Sequence, residues 1–177
     1  PGKTDRIDGN PIVYGGNDLN QTTTRISPEE IDRQRGFCAQ IKAVNAALPT
    51  PPLALVDTYG CQQNEADSER LRGYLSEMGY AFTQSEAEAD VIVLNTCAIR
   101  EHAEQRVFGN LGALVHTKRR KPDQIVCVCG CMAQEKHVAD KIRQSFRHVD
   151  LVFGTHALWR FPELLWRILS RRGRVFD

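Results

Sequence analysis

The residues with chemistry to offer are six cysteines: Cys38, Cys61, Cys97, Cys127, Cys129 and Cys131. Three of them share a local pattern. Cys61 ends Tyr59-Gly60-Cys61, just after the apolar run Leu53–Thr58. Cys97 ends Asn95-Thr96-Cys97, just after Val91–Leu94. Cys131 ends Gly130-Cys131, just after Ile125–Cys129. Each therefore stands where a strand gives way to a helix. If the strands lie parallel, all three reach one edge of the sheet, the edge at which open α/β sheets bind ligands.

Thiolates suit that edge. Helix N-termini present unpaired N–H groups and the positive end of the helix dipole, and both favour thiolate over thiol. Gly60 and Gly130 allow close backbone approach. Three thiolates fit an iron–sulfur cluster with one iron left open, or a zinc ion with an open fourth position. His102, His116 or His137 would have to complete the zinc shell. None stands at a comparable strand end, so the cluster is preferred. The competing reading is three buried, inert thiols, since cysteine is among the most buried residue types. Cys127 and Cys129 alternate with Val126 and Val128 inside a strand and read as core. In an extended strand Cys127 lies about 13 Å from Cys131, too far to share one cluster. Cys38, on a helix face, reads as packing.

The surrounding elements must place these residues. Residues 1–26 are rich in Gly, Asn, Thr, Asp and Gln and read as a flexible tail. Residues 27–52 read as a helix with a Pro-rich linker. Ser27-Pro28-Glu29-Glu30 supplies a cap and a first-turn proline, Ile31, Cys38, Ile41 and Leu48 recur at helical spacing, and Pro49-Thr50-Pro51-Pro52 ends the segment. From residue 53 to 177, strands and helices alternate. Leu53–Thr58, Tyr80–Thr83, Val91–Leu94, Ile125–Cys129 and Val149–Phe153 read as strands. Leu71, Tyr74, Leu75 and Met78 mark one helix, stopped by Gly79. Val107, Leu111, Leu114 and Val115 mark a second, Ala133–Ser145 a third, and Leu158, Leu165, Trp166 and Leu169 the last. This pattern predicts an α/β domain: a doubly wound, mostly parallel sheet of about five strands, flavodoxin-like by analogy.

Composition sets bounds. The 177 residues are 41% hydrophobic and 25% charged, close to a globular average. A net charge of +1 excludes a strongly basic nucleic-acid module and an acidic tail protein. No apolar run approaches the roughly 20 residues that span a bilayer, so no membrane partner is expected. The first residues lack an apolar signal segment, so a cytoplasmic location is expected, where thiols stay reduced. The chain opens on Pro1 rather than Met, as a piece of a longer protein would.

Three segments together carry a resemblance. They are Tyr59-Gly60-Cys61-Gln62-Gln63-Asn64-Glu65-Ala66-Asp67-Ser68-Glu69, Asn95-Thr96-Cys97-Ala98-Ile99-Arg100-Glu101-His102-Ala103-Glu104, and Gly130-Cys131-Met132-Ala133-Gln134. In that order and spacing they resemble the methylthiotransferases, which are radical S-adenosylmethionine enzymes. Asn95–Glu101 favours the branch acting on an isopentenyl-type adenosine beside the tRNA anticodon over the branch acting on a ribosomal protein. Gln63 departs from the Met expected there, a conservative change. The resemblance runs from about Leu53 to Asp177; residues 1–50 match no motif.

The resemblance implies an auxiliary [4Fe-4S] cluster held by Cys61, Cys97 and Cys131, with an open iron for the sulfur species that becomes the methylthio group. It also implies a sulfur donor, and the tRNA anticodon arm as partner of the full-length protein. In the family a second [4Fe-4S] cluster, in a following radical barrel, is bound by a Cys-x3-Cys-x2-Cys motif and cleaves S-adenosylmethionine. That motif and the C-terminal RNA-binding domain are absent from these residues. The chain is thus expected to be the N-terminal domain, inactive alone and working with its barrel in cis. The alternative is a flavodoxin-like binding module with inert or zinc-binding cysteines.

Other residues have ordinary readings. Lys118-Arg119-Arg120-Lys121 reads as a solvated helix end, with a phosphate contact to tRNA as the alternative. Arg171-Arg172-Gly173-Arg174 reads as a helix end leading to a linker. Asp67 or Ser68 reads as a cap after Cys61. Arg100 could face cluster sulfurs or pair with Glu104. Trp159 and Trp166 read as core or interface packing.

Overall fold

The computed structural model describes residues 25–98 and 102–177. The strands are β1 (Leu53–Tyr59), β2 (Ala81–Phe82), β3 (Val91–Thr96), β4 (Ile125–Gly130), β5 (Leu151–Phe153) and β6 (Val175–Phe176). They form one sheet in the order β2-β1-β3-β4-β5-β6, with every pair parallel. The helices are α1 (Pro28–Ala46), α2 (Gln62–Glu77), α3 (Ala103–Arg120), α4 (Lys136–Ser145) and α5 (Phe161–Arg171). The first five strands follow the expected doubly wound α/β plan.

The central strands explain why the sheet is buried on both faces. In β3 and β4 every residue is buried. Val91, Val93, Cys127 and Cys129 face one layer, with Leu71 and Leu75 of α2, Leu164 and Leu165 of α5, and Cys38 and Ile41 of α1. Ile92, Leu94, Val126 and Val128 face the other, with Val107, Leu111 and Leu114 of α3 and Val138 and Ile142 of α4. Period-two alternation sends successive side chains to opposite layers, so a continuous apolar run serves both. Each buried aliphatic side chain contributes about 1.5–3 kcal/mol.

Several details differ from the sequence reading. α1 stops at Ala46, and Leu48 lies beyond it, 48% exposed. Its buried face is Gln34, Cys38, Ile41 and Asn45 rather than a stripe running from Ile31 to Leu48. It docks by polar contacts: Gln34 donates to the buried Glu163 carboxylate at 3.1 Å, and Asn45 donates to the Met78 carbonyl at 2.9 Å. The helix expected from Ala133 begins as a short 3-10 turn, Met132–Gln134, before α4. The final helix is likewise preceded by a 3-10 stretch, Thr155–Arg160, with Pro162 in the first turn of α5.

β6 was not expected. Its anchor is Arg174, whose guanidinium donates to the carbonyls of Val149 (2.8 Å), Arg143 (3.0 Å), Ile142 (3.2 Å) and Phe146 (3.2 Å). The carbonyls of Ile142, Arg143 and Phe146 close the end of α4 and that of Val149 leads into β5, so Arg174 is a structural clamp and not part of a linker. The basic run also has structural work. Lys118 pairs with Asp150 at 2.6 Å, and Lys121 pairs with Asp90 at 2.9 Å. The same two carboxylates accept Val126 N–H and Leu53 N–H, at 2.9 and 2.7 Å. Two of the four cations therefore fasten the N-terminal edge of the sheet.

Among the described residues, no helix is long and apolar enough to cross a membrane. The expected flexible tail lies outside them, apart from residues 25 and 26.

Candidate functional site

Register alone brings the strand-end cysteines to one edge. Tyr59 pairs with Thr96, and Thr96 pairs with Gly130. Cys97 and Cys131 each follow one residue later on neighbouring strands, which lie about 4.8 Å apart. Cys61 follows Tyr59 by two residues on the strand to the other side of β3. The loops leave no slack. A Cβ on Gly60 would lie 2.7 Å from the Cβ of Cys97 and would collide with the Asn64 side chain. Gly130 has φ +100°, and a Cβ there would collide with the Thr96 carbonyl and lie 2.7 Å from Asn95 Oδ1. Both sites are cradles that only glycine fits.

The thiols interact. Cys61 is the N-cap of α2. The backbone N–H groups of Asn64 and Gln63 hold its thiol below the usual cysteine range, with a smaller contribution from the Cys97 side chain. Burial pushes the Cys131 thiol up, and the neighbouring Cys97, Asp67 and Cys61 push it the same way. Cys97 is 2% exposed, while Cys61 and Cys131 are partly open. All six cysteines are free thiols.

The other cysteines stand apart. Cys127 and Cys129 are fully buried inside β4, and burial raises both thiols. They are core, as their alternation with valine indicated. Cys38 is core too, its thiol pushed up to about 11 by burial and by Glu77.

The expected cap is corrected. Neither Asp67 nor Ser68 caps α2; Cys61 does, and Asn64 closes the turn by accepting Cys61 N–H at 3.3 Å. Ser68 instead meets Thr58 at 2.8 Å and receives Asn95 Nδ2 at 3.0 Å. Asp67 is 6% exposed, and burial raises its carboxyl against the opposing pull of Arg70 and Gln63.

Beneath the thiols lies a polar layer that the sequence reading missed. Asn64, Ser68, Asn95 and Thr96 are all nearly or fully buried. Asn64 Nδ2 donates to Asn95 Oδ1 and to the Thr96 carbonyl, at 3.2 and 3.0 Å. Asn95 Nδ2 donates back to the Asn64 carbonyl at 2.7 Å. Thr96 Oγ1 donates to the Cys129 carbonyl at 2.6 Å. Only Asn64, three residues after Cys61, and Asn95, two before Cys97, hinted at it, and asparagine near a strand end reads first as turn chemistry.

None of the three histidines offered for zinc stands at a strand end, and His116 lies in the second half of α3. His102 heads α3 with φ 67°, and His137 faces Glu104 at 3.5 Å. Among the described residues no three His, Cys, Asp or Glu side chains are arranged to hold a single metal ion. Arg100, proposed to face the sulfurs, lies outside the described residues.

This edge falls inside a recognised segment. The model of the family described as "Uncharacterized protein family UPF0004" matches residues 54–154, more than half of the chain. The chain belongs to that family. The UPF0004 segment runs from β1 to just past β5 and contains all three strand-end cysteines. Proteins named tRNA-2-methylthio-N(6)-dimethylallyladenosine synthase are similar to it. One from Clostridioides difficile is 52% identical over 153 residues, covering 84% of this chain and 32% of that protein. One from Acetivibrio thermocellus is 46% identical over 156 residues, covering 86% and 32%. One from Natranaerobius thermophilus is 51% identical over 118 residues, covering 67% and 26%. These names agree with the tRNA-modifying branch that the three motifs resemble. The chain spans about a third of the length of the curated relatives it matches.

Proposed function

We propose that this UPF0004 domain is the sulfur-supplying part of a tRNA methylthiotransferase, with Cys61, Cys97 and Cys131 as ligands of an auxiliary [4Fe-4S] cluster. The observation that supports this is the register that puts three free cysteines, each just past the end of a different strand, on one sheet edge. The chemistry of the donors fits. The set is all sulfur, as such clusters take. Gly60 and Gly130 let the strand-end loops pack closely against Asn64, Thr96, Asn95 and Cys97. Cys61, Cys97 and Cys131 would hold the cluster with three thiolates, and the chemistry it would supply there is sulfur for the methylthio group.

The residues of the chain have distinct parts. Cys61 offers a thiol whose ionisation the head of α2 favours, through N–H groups that already face it. Cys131 needs more help to ionise and would lose its proton only on ligation, as metal binding releases protons from thiols. Cys97, being nearly buried, shields the inner side of the site from water. The site opens at the sheet edge, where a substrate held by another domain would approach.

The substrate would be an isopentenyl-type adenosine beside the anticodon of a tRNA, with a sulfur donor to renew the supply and a cytoplasmic location. S-adenosylmethionine cleavage and firm tRNA binding would belong to a following barrel with its own [4Fe-4S] cluster and to an RNA-binding domain. The domain limits are residues 53–177 for this unit, with 27–52 as its leading helix and linker and 1–26 as a tail.

The test is substitution. Cys61→Ala, Cys97→Ala or Cys131→Ala should each abolish the visible absorbance of the anaerobically reconstituted chain and leave its circular dichroism unchanged. Retention of full absorbance by any of the three would remove that residue from the ligand set. A flavodoxin-like module with inert cysteines would show no such absorbance in any form.

A further inference from the structure

We infer that Asn64 and Asn95 form a buried positioning pair that sets the thiol triangle, by locking the head of α2 onto the end of β3, beside the end of β4. The inference rests on the ligand assignment above and adds the residues that make it geometrically possible.

Each amide has one permitted orientation. Asn95 Nδ2 donates to the Asn64 carbonyl and Ser68 Oγ, so Asn95 Oδ1 must turn toward Asn64. Asn64 Nδ2 is then committed to Asn95 Oδ1 and the Thr96 carbonyl. Asn64 Oδ1 is left facing Cys61, where it accepts the backbone N–H at 3.3 Å and the thiol at 3.4 Å. Asn64 is 2% exposed and Asn95 is not exposed at all, so no water competes for these bonds.

The consequence is mechanical. Asn95 lies in register with Thr58 on one side and Cys129 on the other, so the pair sits where all three cysteine-bearing strands end. Thr96, whose carbonyl receives Asn64, immediately precedes Cys97 and pairs with Gly130, which immediately precedes Cys131. One amide thus touches the residue carrying the first thiol and the strand end carrying the second, next to the strand end carrying the third. The same Oδ1 lies 3.4 Å from the Cys61 sulfur and fixes its place.

The test uses phenylarsine oxide, which bonds two neighbouring thiols and releases water without any redox change, so it reads thiol spacing independently of iron. The intact chain should capture one equivalent; in Cys131→Ala, where Cys61 and Cys97 remain as the strand-end pair, capture should persist, and it should be lost when Cys61→Ala is added. Asn64→Ala and Asn95→Ala should each weaken capture by about 10–100-fold, the usual effect of losing an outer-shell partner. The double variant should be little worse than either single, because the two act as a unit. Leu114→Ala, a core truncation on the opposite layer, controls for lost stability. It should lower the unfolding midpoint yet leave capture intact. Equal weakening by Leu114→Ala, or normal capture by Asn64→Ala and Asn95→Ala, overturns the inference, as does an intact chain that captures nothing. An intact chain that captures the arsenical but takes up no iron would leave the positioning pair standing and remove the cluster reading.

Discussion

Gly130→Ala tests whether the cradle behind Cys131 is as tight as it looks. The backbone there has φ +100°, a region that side chains rarely enter. Holding a non-glycine residue in such a region costs about 1–3 kcal/mol. The new Cβ would also meet the Thr96 carbonyl and Asn95 Oδ1, neither of which is the free end of a flexible side chain. Such overpacking costs about 1–3 kcal/mol more. The two together give a loss of about 4 kcal/mol, against a total of about 5–15 kcal/mol for a typical domain. With a urea slope of about 2 kcal/mol per molar, the midpoint should fall by about 2 M. Trp159 and Trp166 fluorescence would follow the transition. Gly112→Ala is the control, since nothing lies within 4 Å of its Cβ position in α3. It should stabilise by about 0.5–1 kcal/mol, the ordinary gain for alanine in a helix. A Gly130→Ala loss below about 1 kcal/mol would refute the reasoning, because it would mean that β3 and β4 can part at no cost where Cys97 and Cys131 must meet.

Cys127→Ala should cost about 1 kcal/mol through a small cavity in β4 and spare any bound iron. Iron analysis of Cys127→Ala beside Cys131→Ala checks this, and the reverse outcome would exchange their roles. Glu163 should make stability fall in acid. Its burial is outweighed by hydrogen bonds from Arg160 and Gln34, which hold its carboxyl below the ordinary value of 4.5. The unfolded chain therefore binds more protons just below pH 4.5, so the contribution is complete above that pH and drains away as pH falls through the folded value. Denaturation of the parent chain and Glu163→Gln at several pH values should show a shallower acid slope in the variant. Finally, the reconstituted and reduced chain should form no 5′-deoxyadenosine from S-adenosylmethionine. Chromatography against a no-protein control checks this.

What the sequence made legible follows from local pattern. Val91–Leu94 and Ile125–Cys129 announced central strands because both faces needed apolar side chains, and both are buried throughout. The same strands located the cysteine edge, since parallel pairing follows from alternation with helices. β6 was illegible because Val175-Phe176 is two residues long and exists only by pairing with β5 under the Arg174 clamp. The end of α1 was misjudged because Leu48 continues the apolar spacing past the true stop at Ala46. The cap of α2 was misassigned because Asp and Ser are commoner caps than Cys, and nothing local shows that Asp67 and Ser68 face inward. The asparagine pair joins residues 31 apart in sequence, so its bonds appear only once the strand ends are assembled.

The measurement closest to the central claim is the iron and acid-labile sulfide content of the chain after anaerobic reconstitution. About four of each per chain are expected, all lost when Cys61, Cys97 and Cys131 are replaced together. Zinc in place of iron, or iron retained by the triple variant, would contradict that claim.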